Sequence, residues 1–390
     1  MKHILKCHEM VKHDIVRGEN CYLYDKNNKR YVDFESGIWC TVVGHNNPRI
    51  NKKITEQINK VMHLGYRFTN YVADEAATSL LETVSEKDGK CIFLCSGTEA
   101  VEFGITIAKL VTGRNLLLTL SDSYLGAYGS AGMKYGNWIE IDLDRCLKCQ
   151  ETQCLRDCEN LKDTSMDEIA AFVFEPGSRS GKVIFPPQKL IDLIVNEVRN
   201  SNGLIVANEV TTGFGRTGKW YGYNHYGIRP DIIAIGKGLG NGYPVSAVAM
   251  KNDIGKELEK SKFRYVQSHQ NDPLGCAIAN EVIKIIREDD LVDRSHKLGS
   301  RFIGHLGELK NRFSFIKEVR GRGLIIALEI EKSNDRFNVE LIFNEMLKRG
   351  FIIGVDPRAD LMRFLPALTI EESEIESMFE NLDAFLEKAD

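Results

Sequence analysis

The chain has 390 residues, of which 43% are hydrophobic and 27% are charged, and its formal net charge is -4. This composition is typical of a folded enzyme with room for two domains. Because the charge provides no basic field for phosphate backbones or anionic lipid, neither a nucleic acid nor a membrane partner is expected.

The N-terminal residues 1–12 lack the apolar core of a signal peptide, and no apolar run is long enough to cross a bilayer. These features predict a cytoplasmic protein. The ten cysteines are then expected to be reduced thiols rather than a disulfide framework.

The first predicted element is a hairpin, formed by Cys21–Tyr24 and Arg30–Phe34 around a polar turn. Six apolar runs follow with helical patterns between them, and we interpret them as buried strands: Cys91–Cys95, Asn115–Leu120, Ala170–Glu175, Gly203–Asn208, Asp231–Ile235 and Val245–Met250. Strands that alternate with helices predict an α/β fold with a mostly parallel sheet.

The pattern changes to α+β after about residue 290, with a strand over Gly323–Ile330 and helices over Asn338–Arg349 and Glu371–Lys388. Residues 1–45 are too short to form a core alone, so we expect them to join this C-terminal part. The sequence therefore predicts a large domain over residues 46–288 and a small α+β domain formed by residues 1–45 and 289–390.

A helix is predicted to begin directly after the strand at Cys91–Cys95, because Ser96 and Glu99 have the spacing of a capping box. Free N–H groups at such a helix start, with Gly97 allowing close backbone approach, would hold a phosphate. An ordinary helix cap is the alternative for this segment alone.

Four cysteines, Cys146, Cys149, Cys154 and Cys158, lie close together in a charged segment that is typical of a surface insertion. Four thiolates at this spacing would bind zinc or an iron–sulfur cluster. The alternative is a reduced loop without metal, since this spacing is not a familiar ligand set.

Lys237 follows an apolar strand directly and lies within a run of glycines that extends to Gly242. A lysine that is desolvated at a strand end has a lowered pKa and acts as a Schiff-base nucleophile. A glycine-rich turn with an incidental lysine is the alternative for this segment alone.

Several segments in order resemble the class III aminotransferases, the ornithine, 4-aminobutyrate and acetylornithine type. The matching segments are Ser96–Glu102, Glu175–Pro176, Asn208–Val210, Gly215–Gly218, Pro230–Asp231, Gly236–Gly238, Gly242–Pro244 and Arg363–Pro366. Many ordered matches are more specific than any one motif. The resemblance implies the PLP-dependent transferase fold type I, with a seven-stranded sheet, and a homodimer with shared active sites.

The resemblance also assigns roles to individual residues. Lys237 would bind pyridoxal 5'-phosphate (PLP) as a Schiff base and then move the proton during catalysis. The other implied cofactor contacts are Ser96, Gly97, Thr98, Tyr124, Glu175, Asn208, Val210, Thr211 and, from the partner subunit, Ser268. Arg363 would bind a substrate carboxylate, and Trp39 lies in a segment that lines the substrate pocket in relatives. Core packing or a solvated cation are the alternatives for such residues.

Asn208 is the main departure, because the family has an aspartate there that keeps the pyridine nitrogen protonated. Glu209 is not expected to replace it, since successive side chains of a strand point to opposite faces. Ser178 and Ser180 replace a glutamine and a glutamate. Without that glutamate, which often pairs with the family arginine, Arg363 is expected to be free for carboxylates.

The predicted reaction is amino transfer from an amino acid or amine to a 2-oxo acid. A PLP-dependent amino-acid racemase or epimerase on the same scaffold is one alternative, because a weaker electron sink is tolerable there. A weakly active or non-catalytic relative is the other, because Asn208 carries no charge.

Overall fold

The computed structural model describes residues 3–8, 10–178, 181–261, 263–331 and 338–389, with side chains described up to residue 387. Its central element is a seven-stranded sheet in the order Lys90–Leu94, Ser246–Met250, Ile232–Ile235, Leu204–Asn208, Ile169–Phe174, Leu116–Leu120 and Trp138–Ile141. Ser246–Met250 is antiparallel to both of its neighbours, and the other pairs are parallel. The predicted α/β fold with a mostly parallel seven-stranded sheet is confirmed.

Burial explains why six of these strands were predictable and one was not. All six residues of Ile169–Phe174 are buried, because helices cover both faces of a parallel sheet. Trp138–Ile141 lies at the edge of the sheet and contains only one fully buried residue, so it has no apolar run. The seventh strand therefore has no signal in the sequence pattern.

Helices connect the strands of the large sheet, and further helices pack on the C-terminal strands. Their bounds are Pro48–Ile58, Tyr71–Thr83, Gly97–Thr112, Gly129–Met133, Leu143–Leu147, Gln188–Asn200, Asn252–Lys260, Pro273–Glu288, Leu291–Arg312, Val339–Lys348 and Glu372–Ala389. Short 3₁₀ segments occur at Met166–Glu168, Gly222–Tyr226 and Lys237–Gly240. No helix within the described part of the chain is long and apolar enough to span a membrane.

Two four-stranded sheets lie outside the large one. The first has the order Ile15–Glu19, Tyr22–Asp25, Arg30–Asp33 and Phe351–Ile352. The second has the order Ile316–Arg322, Ile325–Ile330, Leu361–Phe364 and Gly354–Asp356. The N-terminal hairpin thus pairs with a C-terminal strand, whereas the exact domain bounds remain a prediction.

The carboxyl ends of the strands position the candidate site. Five strands of the large sheet run in the same direction and end shortly before or at a residue of interest: Leu94 before Ser96, Leu120 before Tyr124, Phe174 before Glu175, Asn208 itself, and Ile235 before Lys237. Ligands of open α/β sheets bind at this edge.

Candidate active site

Two glycine-dependent contacts bring distant motifs together. A Cβ atom on Gly97 would lie 2.6 Å from Cγ1 of Val210, and one on Gly236 would lie 3.2 Å from Cα of Gly97. Real Cβ atoms do not approach side chains at 2.6 Å, so glycine is needed at position 97, and the contact at Gly236 is also tighter than most Cβ contacts. The start of the helix Gly97–Thr112 therefore lies directly beside the residue that precedes Lys237.

The predicted helix cap is present. Oγ of Ser96 accepts a hydrogen bond from the Glu99 backbone N–H at 3.2 Å, and Oε2 of Glu99 accepts one from Cys95 N–H at 2.9 Å. The first N–H groups of an α-helix have no intrahelical partner, and the helix dipole is positive there. This end of the helix is a suitable binding position for a phosphate group.

The segment that carries Tyr124 is held from two sides. The Tyr124 backbone N–H donates to Oε2 of Glu175 at 2.9 Å, and its carbonyl accepts from Nδ2 of Asn208 at 3.0 Å. Oγ1 of Thr98 accepts from Ala127 N–H at 3.0 Å. The Tyr124 side chain is 47% exposed, so it is not the buried core tyrosine of the alternative interpretation.

Asn208 and Glu209 point in different directions. Asn208 is buried, and its Oδ1 accepts from Val210 N–H at 3.2 Å. Glu209 accepts hydrogen bonds from the Thr212 hydroxyl and from two backbone N–H groups, and burial raises its pKa to about 7. Glu209 is thus engaged elsewhere and does not supply the charge that Asn208 lacks.

Lys237 is a buried cation with two close neighbours. Its Nζ lies 2.7 Å from Oγ1 of Thr211 and 4.4 Å from the centre of the Trp39 ring. Burial lowers the pKa of this amine to about 8. The residue also has a φ angle of 42°, in the left-handed region that non-glycine residues avoid. A desolvated amine of lowered pKa is a competent nucleophile toward a carbonyl carbon.

Arg363 is not free, and the expectation that it would be is wrong. Its Nε lies 3.3 Å from Oε1 of Glu35, whose side chain is buried beneath it. The predicted glutamate position, Ser180, lies outside the described residues, and Ser178 is buried. Glu35, which is far away in the sequence, supplies the counter-charge to Arg363 instead. No motif in the sequence indicates this pairing.

A left-handed turn places Trp39 between the two cations. The φ angles of Ser36, Gly37, Ile38 and Trp39 are 39°, 61°, 58° and 70°. Each non-glycine residue in this region costs about 1–2 kcal/mol, and such strain concentrates at functional sites. The guanidinium of Arg363 lies 5.1 Å from the centre of the Trp39 ring, and the Trp39 ring also contacts the amine of Lys237. Sequence reasoning identified Trp39 but not the strained turn that positions it.

Ser268 is exposed in a turn near the helix start. Nε2 of the preceding Gln267 donates to Sγ of Cys95 at 3.3 Å, which attaches this turn to the segment before Ser96. The following His269 binds Asp272 at 2.6 Å, and His63 binds the same carboxylate at 2.7 Å. The role of Ser268 toward a partner subunit remains a prediction.

The four cysteines line one cavity of about 480 Å³, but the predicted metal centre is not supported. Across the described ranges, the group of three side chains whose ligand atoms lie close enough to share an ion is His63, His269 and Asp272, not the thiols. Burial raises the pKa of the Cys146 and Cys154 thiols, which disfavours the thiolate form that binds metal.

The seven-stranded sheet, with a buried lysine just after a strand end and close to a helix start, is the architecture of the fold type I enzymes. Residues 5–386 match the family described as Aminotransferase class-III. The chain belongs to this family, and it is an enzyme of the aminotransferase type.

Curated relatives span nearly the whole chain. Acetylornithine aminotransferase from Methanocaldococcus jannaschii is 30% identical over 380 residues, which cover 95% of this chain and 92% of that protein. Leucine/methionine racemase from Thermococcus litoralis is 29% identical over 399 residues, which cover 94% and 89%.

Solved structures show the same fold. An S-selective transaminase from Arthrobacter sp., with alanine bound, has a TM-score of 0.90 and 23% sequence identity, and the match covers 99% of this chain and 96% of that one. At this identity the likeness establishes the architecture, and it confirms the expected fold type I.

Proposed function

We propose that this aminotransferase binds PLP as a Schiff base on Lys237 and moves an amino group from a small-molecule amino donor to a 2-oxo acid. The observation that carries the proposal is the buried Lys237 amine, on a residue whose preceding neighbour, Gly236, packs against Gly97 at the helix start. PLP supplies the electron sink that makes the substrate α-carbon acidic when the cofactor is bound.

The residues present fit this cofactor. Ser96, Gly97 and Thr98 would bind the phosphate, because they form the start of a helix that glycine brings close to the lysine strand. Val210 would pack beneath the cofactor ring, and Tyr124 would cover it, since its backbone is fixed by Glu175 and Asn208. Thr211 would contact the phenolic oxygen, because its hydroxyl already lies 2.7 Å from the lysine Nζ.

Lys237 also has the proton-transfer role. With PLP bound, Nζ would remove the proton from the substrate α-carbon and return it during amino transfer. A pKa of about 8, lowered by burial, suits a base near neutral pH. Trp39 would form a wall beside this amine, and Arg363 would bind the substrate carboxylate.

Racemisation is a second candidate reaction, because Asn208 is a neutral residue where a charged one would favour electron withdrawal. A racemase returns the proton to the α-carbon without amino transfer, which tolerates a weaker electron sink. One relative is named leucine/methionine racemase. Chiral analysis of the amino acid after incubation separates the two reactions.

We further propose a cytoplasmic homodimer in which Ser268 contacts the partner's cofactor. The support is the surface around residues 62–71, where large apolar side chains are exposed: Met62, Tyr66, Phe68 and Tyr71. Val266 is exposed near Ser268 as well. Apolar groups exposed together mark interaction surfaces.

The test is the visible spectrum of the purified protein during titration with a panel of amino acids and amines. Amino transfer predicts loss of the aldehyde-type cofactor band, its conversion to the amine form, and recovery with a 2-oxo acid. Inversion of the amino acid without that conversion would favour racemisation. Failure to bind PLP at all would overturn the proposal.

A further inference from the structure

Arg363 lies in a row of paired residues that crosses three neighbouring strands of the sheet containing Leu361–Phe364. Arg320 is paired with Ala327, and Ala327 is paired with Arg363 on its other side. Residues directly opposite each other in antiparallel strands have their side chains on the same face. Because neighbouring strands are about 4.8 Å apart, the two arginines start from one face of the sheet at a spacing of roughly 10 Å.

The segment 181–183 lies against this face, and its first residue borders Arg363. A Cβ atom on Gly181 would lie 2.9 Å from Nη1 of Arg363 and 3.0 Å from the Trp39 ring. Glu35 contacts the other two guanidinium nitrogens, Nε at 3.3 Å and Nη2 at 3.5 Å. The backbone of the segment therefore borders the guanidinium at the nitrogen that Glu35 does not contact.

Arg320 holds the other end of the segment. Its Nε lies 3.1 Å from the carbonyl oxygens of both Lys182 and Val183, so one N–H is shared between two acceptors. Hydrogen bonds from a charged donor are about twice as strong as those between neutral groups. The Arg320 side chain is only 13% exposed, which limits competition from water. The position of the segment thus depends on Arg320.

The guanidinium of Arg320 is itself fixed by carboxylates. Its Nη1 lies 2.7 Å from Oε2 of Glu318 and 2.8 Å from Oε2 of Glu329. Burial alone would raise the pKa of Glu329, but hydrogen bonds from Lys317 and Arg320 hold that pKa below its ordinary value. Glu329 therefore stays charged near neutral pH. It holds the guanidinium in the orientation in which Nε faces the segment.

The segment is strained where Arg320 binds it. Val183 has a φ angle of 53°, and a β-branched residue in this region is a backbone outlier. Such conformations persist only where the surrounding structure enforces them. Trp39 packs against the same apolar cluster as Val183. The buried members of this cluster are Val183, Ile325, Ala327, Leu361 and Leu365.

We propose that Arg320 is a positioning residue for carboxylate binding. It holds the strained segment 181–183 against the sheet, and the backbone of the segment then keeps the Arg363 guanidinium in the orientation that accepts a substrate carboxylate. Arg320 acts through the segment and does not touch the substrate. This inference rests on the proposed substrate-binding role of Arg363.

The experiment measures the dissociation constant of glutarate, a dicarboxylate without amino or oxo groups, for the PLP-loaded protein through the cofactor absorbance. Arg320→Met keeps a long side chain but removes the donors. Glutarate binding is expected to weaken by about tenfold or more, since a misplaced binding group loses up to about 10²-fold. PLP affinity should be unchanged. Unchanged glutarate binding in Arg320→Met would overturn the proposal.

Two further variants separate the hydrogen bonds of Arg320 from its ion pairs. Arg320→Lys keeps a cation for Glu329, but its nitrogen lies beyond the position of Nε, so glutarate binding should weaken here too. Glu318→Gln changes a residue that is 53% exposed and should leave glutarate binding unchanged. Wild-type affinity in Arg320→Lys would overturn the proposal, because the ion pairs alone would then suffice. If Arg320→Met does not fold, Arg320→Lys supplies the measurement.

A double-mutant cycle tests whether Arg320 acts through Arg363. Arg363→Lys keeps a positive charge for glutarate on a flexible side chain that lacks the planar guanidinium. In this background, Arg320→Met should weaken glutarate binding by less than about twofold. An equal loss in both backgrounds would indicate a general structural effect and overturn the proposal. Failure of the proposed function would appear differently, as a wild-type protein that does not bind PLP or an Arg363→Lys variant that binds glutarate normally.

Discussion

The lysine site and the four-cysteine segment were both predicted from short motifs, yet they differ in structure. At the lysine site, glycine contacts and burial force residues from distant segments together, as Gly97, Val210 and Gly236 show. The four cysteines come from one exposed stretch that lines an open cavity, and their thiols do not form a close ligand group. Convergence of buried segments is thus a stronger sign of function than local spacing.

The largest effect is expected for Lys237→Ala, which removes the buried amine of the lysine site. Loss of the cofactor-binding nucleophile and of the base should lower the amino-transfer rate by at least about 10³-fold. Steady-state rates with the best donor of the panel check this. Lys284→Ala, which changes an exposed lysine on the helix Pro273–Glu288, should leave the rate unchanged. If both variants lost amino-transfer rate to a similar extent, the loss in Lys237→Ala could not be assigned to the lysine site.

Gly97→Ala tests the contact that brings the segments together. The new methyl group would meet Val210 at 2.6 Å, and overpacking of this kind costs about 1–3 kcal/mol. PLP affinity, measured by equilibrium titration, should fall about 10- to 100-fold if that cost appears in cofactor binding. Gly304→Ala is the matched control, because its Cβ would meet no atom within 4 Å. Unchanged PLP affinity in Gly97→Ala would show that the close approach is not needed.

Asn208→Asp tests whether a negative charge at position 208 of the lysine site makes amino transfer faster. A charged acceptor would favour protonation of the cofactor nitrogen, and we expect amino transfer to become faster by about tenfold, or 1.4 kcal/mol. Single-turnover kinetics with one amino donor measure the step directly. A slower variant would indicate that the hydrogen bond from Asn208 to the Tyr124 carbonyl matters more than ring charge.

The smallest effect is expected for replacement of Cys146, Cys149, Cys154 and Cys158 by serine. Because the cavity that these thiols line contains none of the residues of the lysine site, amino transfer should change by less than about twofold. Elemental analysis of the wild-type protein should show no stoichiometric zinc or iron. One equivalent of metal that is lost in the variant would restore the metal-site hypothesis and weaken the comparison.

Much of the fold could be predicted, because buried parallel strands such as Ile169–Phe174 are continuous apolar runs. The edge strand Trp138–Ile141 could not, since it is only half-buried. The site residues that follow strand ends were predictable from motifs that occur in order. The pairing of Glu35 with Arg363 was not, because it joins residues far apart in sequence with no motif that links them.

The most direct test is borohydride reduction of the PLP-loaded protein, followed by peptide mass spectrometry. Reduction fixes the cofactor on the lysine that holds it. The expected result is a single pyridoxyl-labelled peptide that contains Lys237, and no label after Lys237→Ala. Label on a different lysine, or a PLP-loaded protein that yields no labelled peptide, would contradict the assignment of Lys237 as the cofactor-binding residue.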